Sequence, residues 1–258
     1  LCIGDIIGRP GRRILTRLLP ELVEEYEAHL VVVNVENAAG GFGMSRQIYE
    51  QLVGIGVDVL TTGNHVWDRK EFVSEVEQCE RLLRPANFFP GAPGKGWIVA
   101  ETEEGPVAVV NMEGRVYMQP VDCPFRGADK VLSEIDSDVR VIIMDFHAEA
   151  TSEKIALGYY LDGRLSGLFG THTHVATADA RILPKGTAYM SDIGMTGPSQ
   201  SVIGVKIQPV LDRFITGMPR RFETAAGPGQ LNGVSIKCDP ETGKALAITP
   251  IRREMEGE

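Results

Sequence analysis

Leu30-Val31-Val32-Val33-Asn34-Val35-Glu36-Asn37 is an apolar run that ends on a carboxylate and an amide. The run does not alternate, so it reads as a strand covered on both faces, as in a parallel sheet between layers. Glu36 then stands at the edge of a core, where a charge is costly unless paired or metal-bound.

Similar runs lie on either side. Residues 1–7 carry Gly4-Asp5, and residues 57–60 lead into Gly63-Asn64-His65. Residues 139–144 lead into Asp145-Phe146-His147, and residues 165–169 into Gly170-Thr171-His172-Thr173-His174. Four of the five histidines therefore follow β-branched or apolar runs. Histidine is the commonest metal ligand near neutral pH. His29 lies between a helix and a strand and receives no role.

Residues 12–28 have helical spacing of Ile14, Leu15, Leu18, Leu19, Leu22 and Val23, with Pro20 expected to break or restart the helix. Residues 8–11 read as a turn. Ser45 reads as the N-cap of a helix to Val53. Further helices are expected over 70–79, 151–160 and 208–215, and a strand over 188–193. Residues 97–101 and 106–111 flank Glu103-Glu104-Gly105 as a hairpin, and 233–238 with 245–251 form another. Alternation in the front half and hairpins in the back half predict an α/β fold of two mixed sheets packed together with helices outside. No linker or repeat divides the chain, so one domain is expected over 1–258. In such sheets ligands bind at the carboxyl ends of the strands, where all five motifs fall.

The 258-residue chain has a formal net charge of −9, which argues against a dedicated binder of nucleic-acid polymers. No apolar run approaches the roughly 20 residues a membrane helix needs, and no signal-peptide pattern opens the chain. Cys2, Cys79, Cys123 and Cys238 show no paired spacing, so they read as reduced thiols of a cytoplasmic protein.

The motifs differ in weight. Asp5 alone suits a turn or helix cap as well as a metal. Asn64 offers a neutral amide oxygen. His65 is open as ligand, general acid or buried structural histidine, and His147 as ligand or structural residue. His172 and His174 would share one side of an extended segment. Together the motifs supply two carboxylates, two amides and up to four imidazoles. That exceeds the three or four ligands of a single zinc. Two metals about 3.5–4 Å apart, bridged by a carboxylate and a hydroxide, use the surplus. Mixed nitrogen and oxygen ligation suits manganese, iron or zinc.

The ordered series resembles a calcineurin-like metallophosphoesterase. Two departures stand out: Ile7 occupies the place of the usual first-motif histidine, and Glu36-Asn37 replaces the usual Gly-Asp pair. With Gly4-Asp5-Ile6-Ile7-Gly8 and Glu36-Asn37-Ala38-Ala39-Gly40-Gly41, they match the YmdB-like subgroup. The resemblance implies a four-layer α/β/β/α sandwich. It implies one metal held by Asp5, Glu36, Asn37 and His174, with Asn37 in place of the missing histidine. A second would be held by Glu36, Asn64, His147 and His172, with Glu36 bridging. His65 would be free of metal and act as general acid. The implied enzyme is a dinuclear phosphodiesterase with iron or manganese, zinc being compatible. Its substrates would be 2′,3′-cyclic nucleotides, opened to nucleoside monophosphates by attack of a metal-bridging hydroxide. The resemblance is also compatible with a homo-oligomer; neither membrane nor nucleic-acid polymer is an expected partner. A phosphomonoesterase or nucleotidase is the same-class alternative. A regulatory protein that senses a nucleotide or phosphate with low turnover is the other.

Overall fold

The apolar runs become short, deeply buried strands because their side chains find cover on both faces. The computed structural model describes residues 1–256. The last two residues of the expected 1–258 domain lie outside the described ones. In chain order the front half comprises β1 (Cys2–Ile3), β2 (Asp5–Ile6), α1 (Gly8–Glu25), β3 (Val32–Asn34), α2 (Arg46–Gly54), β4 (Val59–Thr61) and α3 (Lys70–Val73). Then follow β5 (Trp97–Thr102), β6 (Gly105–Glu113), α4 (Pro124–Glu134), β7 (Val141–His147), α5 (Thr151–Tyr160) and β8 (Gly167–Thr171). The chain continues through β9 (Arg181–Ile182), β10 (Ala188–Met190), β11 (Met195–Pro198), α6 (Ile207–Thr216), β12 (Gly229–Cys238) and β13 (Ala245–Met255).

One sheet has the order β2-β11-β12-β1-β3-β4, with β13 paired to β12, and the other β5-β6-β7-β8-β10-β9. Both are mixed. Within them β1, β3 and β4 run parallel, as do β6, β7, β8 and β10. Alternation along each strand builds the layers. Cys2, Val32 and Val59 point into a central core with Val109, Ile143 and Phe169 of the other sheet. Their neighbours Ile3, Val33 and Leu60 face Leu15, Leu19 and Leu22 of α1 and Leu52 of α2. On the far side Val110, Met144 and Leu168 face Ala128 and Val131 of α4 and Leu157 of α5. Each fully buried leucine contributes about 1.5–3 kcal/mol relative to exposure. This is the expected α/β/β/α sandwich. No described helix is long and apolar enough to cross a membrane.

Several local expectations are corrected. Residues 1–7 form two short strands, not one. A Cβ at Gly4 would lie 1.9 Å from the Gly194 carbonyl oxygen, so the chain can shift there from β12 to β11 only as glycine. Residues 8–11 are the first turn of α1 and not a separate turn, because Pro10 sits where a helix needs no N–H. Pro20 does not interrupt α1. It lies on the exposed face, where water can satisfy the freed carbonyl. The expected helix 70–79 is broken into α3 and a 3-10 turn, Val76–Gln78. Phe72, Val76 and Cys79 are buried as their spacing predicts, but Ser74 Oγ donates to the Glu71 carbonyl and competes with the helix. Helix α4 is not among the expected elements, although Pro124 at its start and buried Ala128 and Val131 are its signals. Strand β11 is not among the expected elements either; its Gly-Pro sequence is held as a strand by its neighbours β2 and β12. Ser45 does cap α2, accepting from the Ile48 N–H at 3.4 Å.

Candidate metal centre

Because the parallel strands of both sheets end at one edge, residues far apart in sequence meet there. Asp5 starts β2, Glu36 and Asn37 follow β3, Asn64 and His65 follow β4, His147 ends β7, and His172 and His174 follow β8. Two groups of three could each hold a cation: Glu36, His147 and His172, and Asp5, Glu36 and His174. Within each group the ligand atoms lie within 4.8 Å of one another, and Glu36 belongs to both.

The chain's own hydrogen bonds aim the imidazoles. Thr171 Oγ1 donates to Asp145 Oδ1 at 2.7 Å and so accepts from His147 Nδ1 at 2.9 Å. That directs His147 Nε2 inward, 3.2 Å from Glu36 Oε1, 3.0 Å from Asn64 Oδ1 and 3.0 Å from His172 Nδ1. His174 Nδ1 donates to the Ile203 carbonyl at 2.9 Å, leaving Nε2 3.8 Å from Asp5 Oδ1. An imidazole whose second nitrogen is held this way is the usual form of a metal-bound histidine. Asp145 is itself held by Asn34 and Thr61. A Cβ on Gly63 would lie 2.1 Å from the His147 ring, so only glycine lets the Asn64 loop close over it.

Electrostatics treats the imidazoles unequally. Burial opposes both charges of the Glu36–His147 pair, but their attraction prevails. Glu36 is held down to about 2 and His147 pushed up to about 9. Burial and the His147 charge drive His172 down to about 3, leaving its ring neutral with a lone pair to donate. Burial raises Asp5 to about 6. Two buried oxygens, Asp5 Oδ1 and Asn37 Oδ1, have no hydrogen-bond partner. Orphaned acceptors beside converging imidazole nitrogens and a shared carboxylate fit two cations, since a cation satisfies what no protein donor does.

His65 stands apart from both groups. Its backbone N–H donates to Glu36 Oε2 at 3.1 Å, while ring Nδ1 is 2.7 Å from Asp68 Oδ2. Phe42 meets the ring edge-on at 5.0 Å between centroids. Phe42 belongs to the glycine-rich loop 40–43. That loop is held through the Ala38 carbonyl by Arg12 and the Ala39 carbonyl by Arg69, while Asn37 Nδ2 donates to the Gly41 carbonyl.

One expectation is corrected in its geometry. His172 and His174 do not alternate along an extended segment, because their φ angles are +97° and +65°. Such conformations cost about 1–3 kcal/mol each and need external support. Asp5 Oδ2 supplies some by accepting the His172 N–H at 3.3 Å. The fully buried pair Lys154–Asp192, at 2.7 Å, supplies more. Lys154 Nζ donates to the Thr171 carbonyl at 2.8 Å, and Asp192 accepts the Thr173 N–H at 3.1 Å. Lys154→Met leaves Asp192 as an uncompensated buried charge, so it is expected to lower stability by about 3–5 kcal/mol in urea unfolding. A loss below about 1 kcal/mol would show the pair to be dispensable.

The sequence reading missed Asp68, Asp145, Thr171, Lys154 and Asp192 as parts of this site. Asp68 has a local signal, standing three residues after His65, and Asp145 and Thr171 stand inside the strand-end motifs; Lys154 and Asp192 have none. Glu113 was missed too. It ends β6 in register with His147, is fully buried and raised by burial to about 7, and its Oε1 lacks a partner.

Known proteins share this sequence and fold over nearly their whole length. The family model described as YmdB-like protein matches residues 1–251. The chain is 47% identical over 251 residues to the 2′,3′-cyclic-nucleotide 2′-phosphodiesterase of Bacillus subtilis (strain 168), covering 97% of this chain and 95% of that protein. A crystal structure of a novel phosphatase from Mycoplasma pneumoniae superposes with a TM-score of 0.93 at 37% identity, covering 99% of this chain and 93% of that one. A hypothetical protein from Thermus thermophilus gives 0.92 at 43% identity, with 98% of each chain covered. Matches of this extent, on a chain that keeps Glu36-Asn37 and lacks a histidine at position 7, place it in the YmdB-like family.

Proposed function

We propose that the chain is a dinuclear metal-dependent phosphodiesterase that opens small cyclic phosphodiesters, 2′,3′-cyclic nucleotides above all. One observation carries the reading: two groups of ligand atoms share Glu36, and His65 borders them without belonging to either. The name of the Bacillus subtilis relative supports the substrate class.

In this reading Asp5, Glu36, Asn37 and His174 hold one ion, and Glu36, Asn64, His147 and His172 the other. Mixed nitrogen and oxygen ligation suits iron, manganese or zinc, and the family resemblance favours iron or manganese. When bound, two such ions supply Lewis acidity, making water more acidic and offsetting charge on the phosphoryl oxygens. The chain's residues do the rest. Thr171 and Ile203 fix the ring orientations of His147 and His174. Asp68 accepts from His65 Nδ1 and so holds the ring in orientation; in the imidazolium form Nε2 also carries a proton, the one handed to the departing ribose oxygen. Cys2, Cys79, Cys123 and Cys238 are all free thiols, which supports a cytoplasmic location.

The test is turnover of 2′,3′-cyclic AMP, 3′,5′-cyclic AMP, an aryl phosphodiester and an aryl phosphomonoester by metal-loaded protein. Cleavage of the 2′ ester leaves phosphorus on O3′, so 3′-AMP is the expected product, with loss of activity on chelation. Turnover of monoesters alone would make the chain a phosphomonoesterase. No metal-dependent turnover of any substrate would leave only a binding role.

A further inference from the structure

We infer that the chain has a second ligand site, a cleft of about 650 Å³ that binds a nucleoside monophosphate. The cleft lies along α4 and is lined by Arg84, Arg115, Arg126 and Lys130, together with the rings of Phe89 and Trp97. Its volume is that of a small-molecule site. None of its lining residues belongs to the candidate metal centre.

The cations are placed as for an absent anion. Among the described residues none of the four makes an ion pair. Arg84 is half-buried and pinned by its Nη atoms to the Pro85 and Ala92 carbonyls, at 2.8 and 3.4 Å. Its Nε is buried without a partner. Arg126 and Lys130 stand one turn apart on α4, and like charges at that spacing repel. No acid occupies the first turn of that helix to offset Arg126. Asp122 and Glu134 are the acids of the lining, so cations outnumber acids there in a chain whose net charge is −9.

Phosphate is the anion that guanidinium forks and a lysine recognise together. Exposed Phe89 and half-buried Trp97 add flat apolar faces on which a base can stack. A nucleotide joins the two, carrying its phosphate and its base on one ribose. Two contacts link the cleft to residues that neighbour the candidate metal centre. Asn87 lines it and donates to the Glu113 and Asp122 carbonyls, both at 2.8 Å, while Val121 packs on Val66, the residue after His65.

The experiment is calorimetric titration of metal-loaded protein with the methylene-phosphonate analogue of 5′-AMP, which no phosphatase cleaves. Wild type should show a site that Arg126→Gln with Lys130→Gln weakens at least tenfold, and that weakens as salt rises. Both positions are exposed, so the double variant should keep its fold and its turnover of an aryl phosphodiester. Phe89→Ala should weaken the nucleotide analogue but leave competition by inorganic phosphate unchanged. Adenosine, lacking phosphate, should not compete. Nucleotide affinity indifferent to the double variant, or binding abolished by Asn64→Ala, would overturn the proposal by assigning all binding to the metal centre. Because turnover is read separately, this failure is distinct from a failure of the phosphodiesterase reading.

Discussion

Glu36→Gln is expected to reduce turnover of a cyclic phosphodiester by about 10³-fold or more while the protein stays folded. Glutamine keeps the shape of the side chain, so packing at this fully buried position is preserved. What changes is charge at the atom pair both ligand groups share. Oε1 faces His147 Nε2 at 3.2 Å and Oε2 accepts the His65 N–H at 3.1 Å. An amide can accept at only one of these places. Its NH₂ must then face either the His65 N–H or the metal-facing nitrogen of His147. Metal analysis after dialysis should show both ions weakened, because neither group keeps its three charged or imidazole ligands. Retention of both metals with more than a tenth of the activity would overturn the proposed bridging role of Glu36.

His65→Ala is expected to lose about 10²- to 10⁴-fold in turnover and to keep full metal content. The reason is spatial: the side chain of His65 is absent from both ligand groups and is turned toward Asp68. A general acid matters most when the leaving group is a poor one. The loss should therefore be large for 2′,3′-cyclic AMP, whose leaving group is a ribose alkoxide, and small for a 4-nitrophenyl diester. Asp68→Asn should show the same dependence on leaving group with a smaller loss, since Asp68 only orients the ring. Halved metal content would make His65 a ligand. Equal losses on both substrates would remove the proton-transfer role.

Much of the architecture is legible in residues 30–37. An unbroken apolar run needs cover on both faces, and Val32 and Val33 receive it from the central core and from the helical layer. The motifs are legible for a related reason: Asp5, Glu36 and His147 are buried polar groups at strand ends, and such groups are costly unless they are paired or bind a ligand. The failures are equally physical. At Pro20 and in residues 8–11 local propensity gave way to solvent exposure and to the permissive first turn of a helix. In β11 a Gly-Pro sequence becomes a strand because β2 and β12 supply its hydrogen-bond partners.

The same division runs through the site. Residue types and their places at strand ends are properties of local sequence, and from them alone Asp5, Glu36, Asn37, Asn64, His65, His147, His172 and His174 stand out. Which nitrogen of each histidine faces inward is not local. It depends on Thr171 and Asp145 behind His147, Ile203 behind His174 and Asp68 behind His65. Asn34 and Asp145, 111 residues apart, meet in that support at 2.9 Å. Lys154 and Asp192 likewise hold the His172–His174 turn from a distance that no periodicity encodes. Hydrogen bonds act over about 3 Å. Only the packing of the two sheets decides which residues come that close, and so only the tertiary structure decides which partner holds each candidate ligand and the candidate acid.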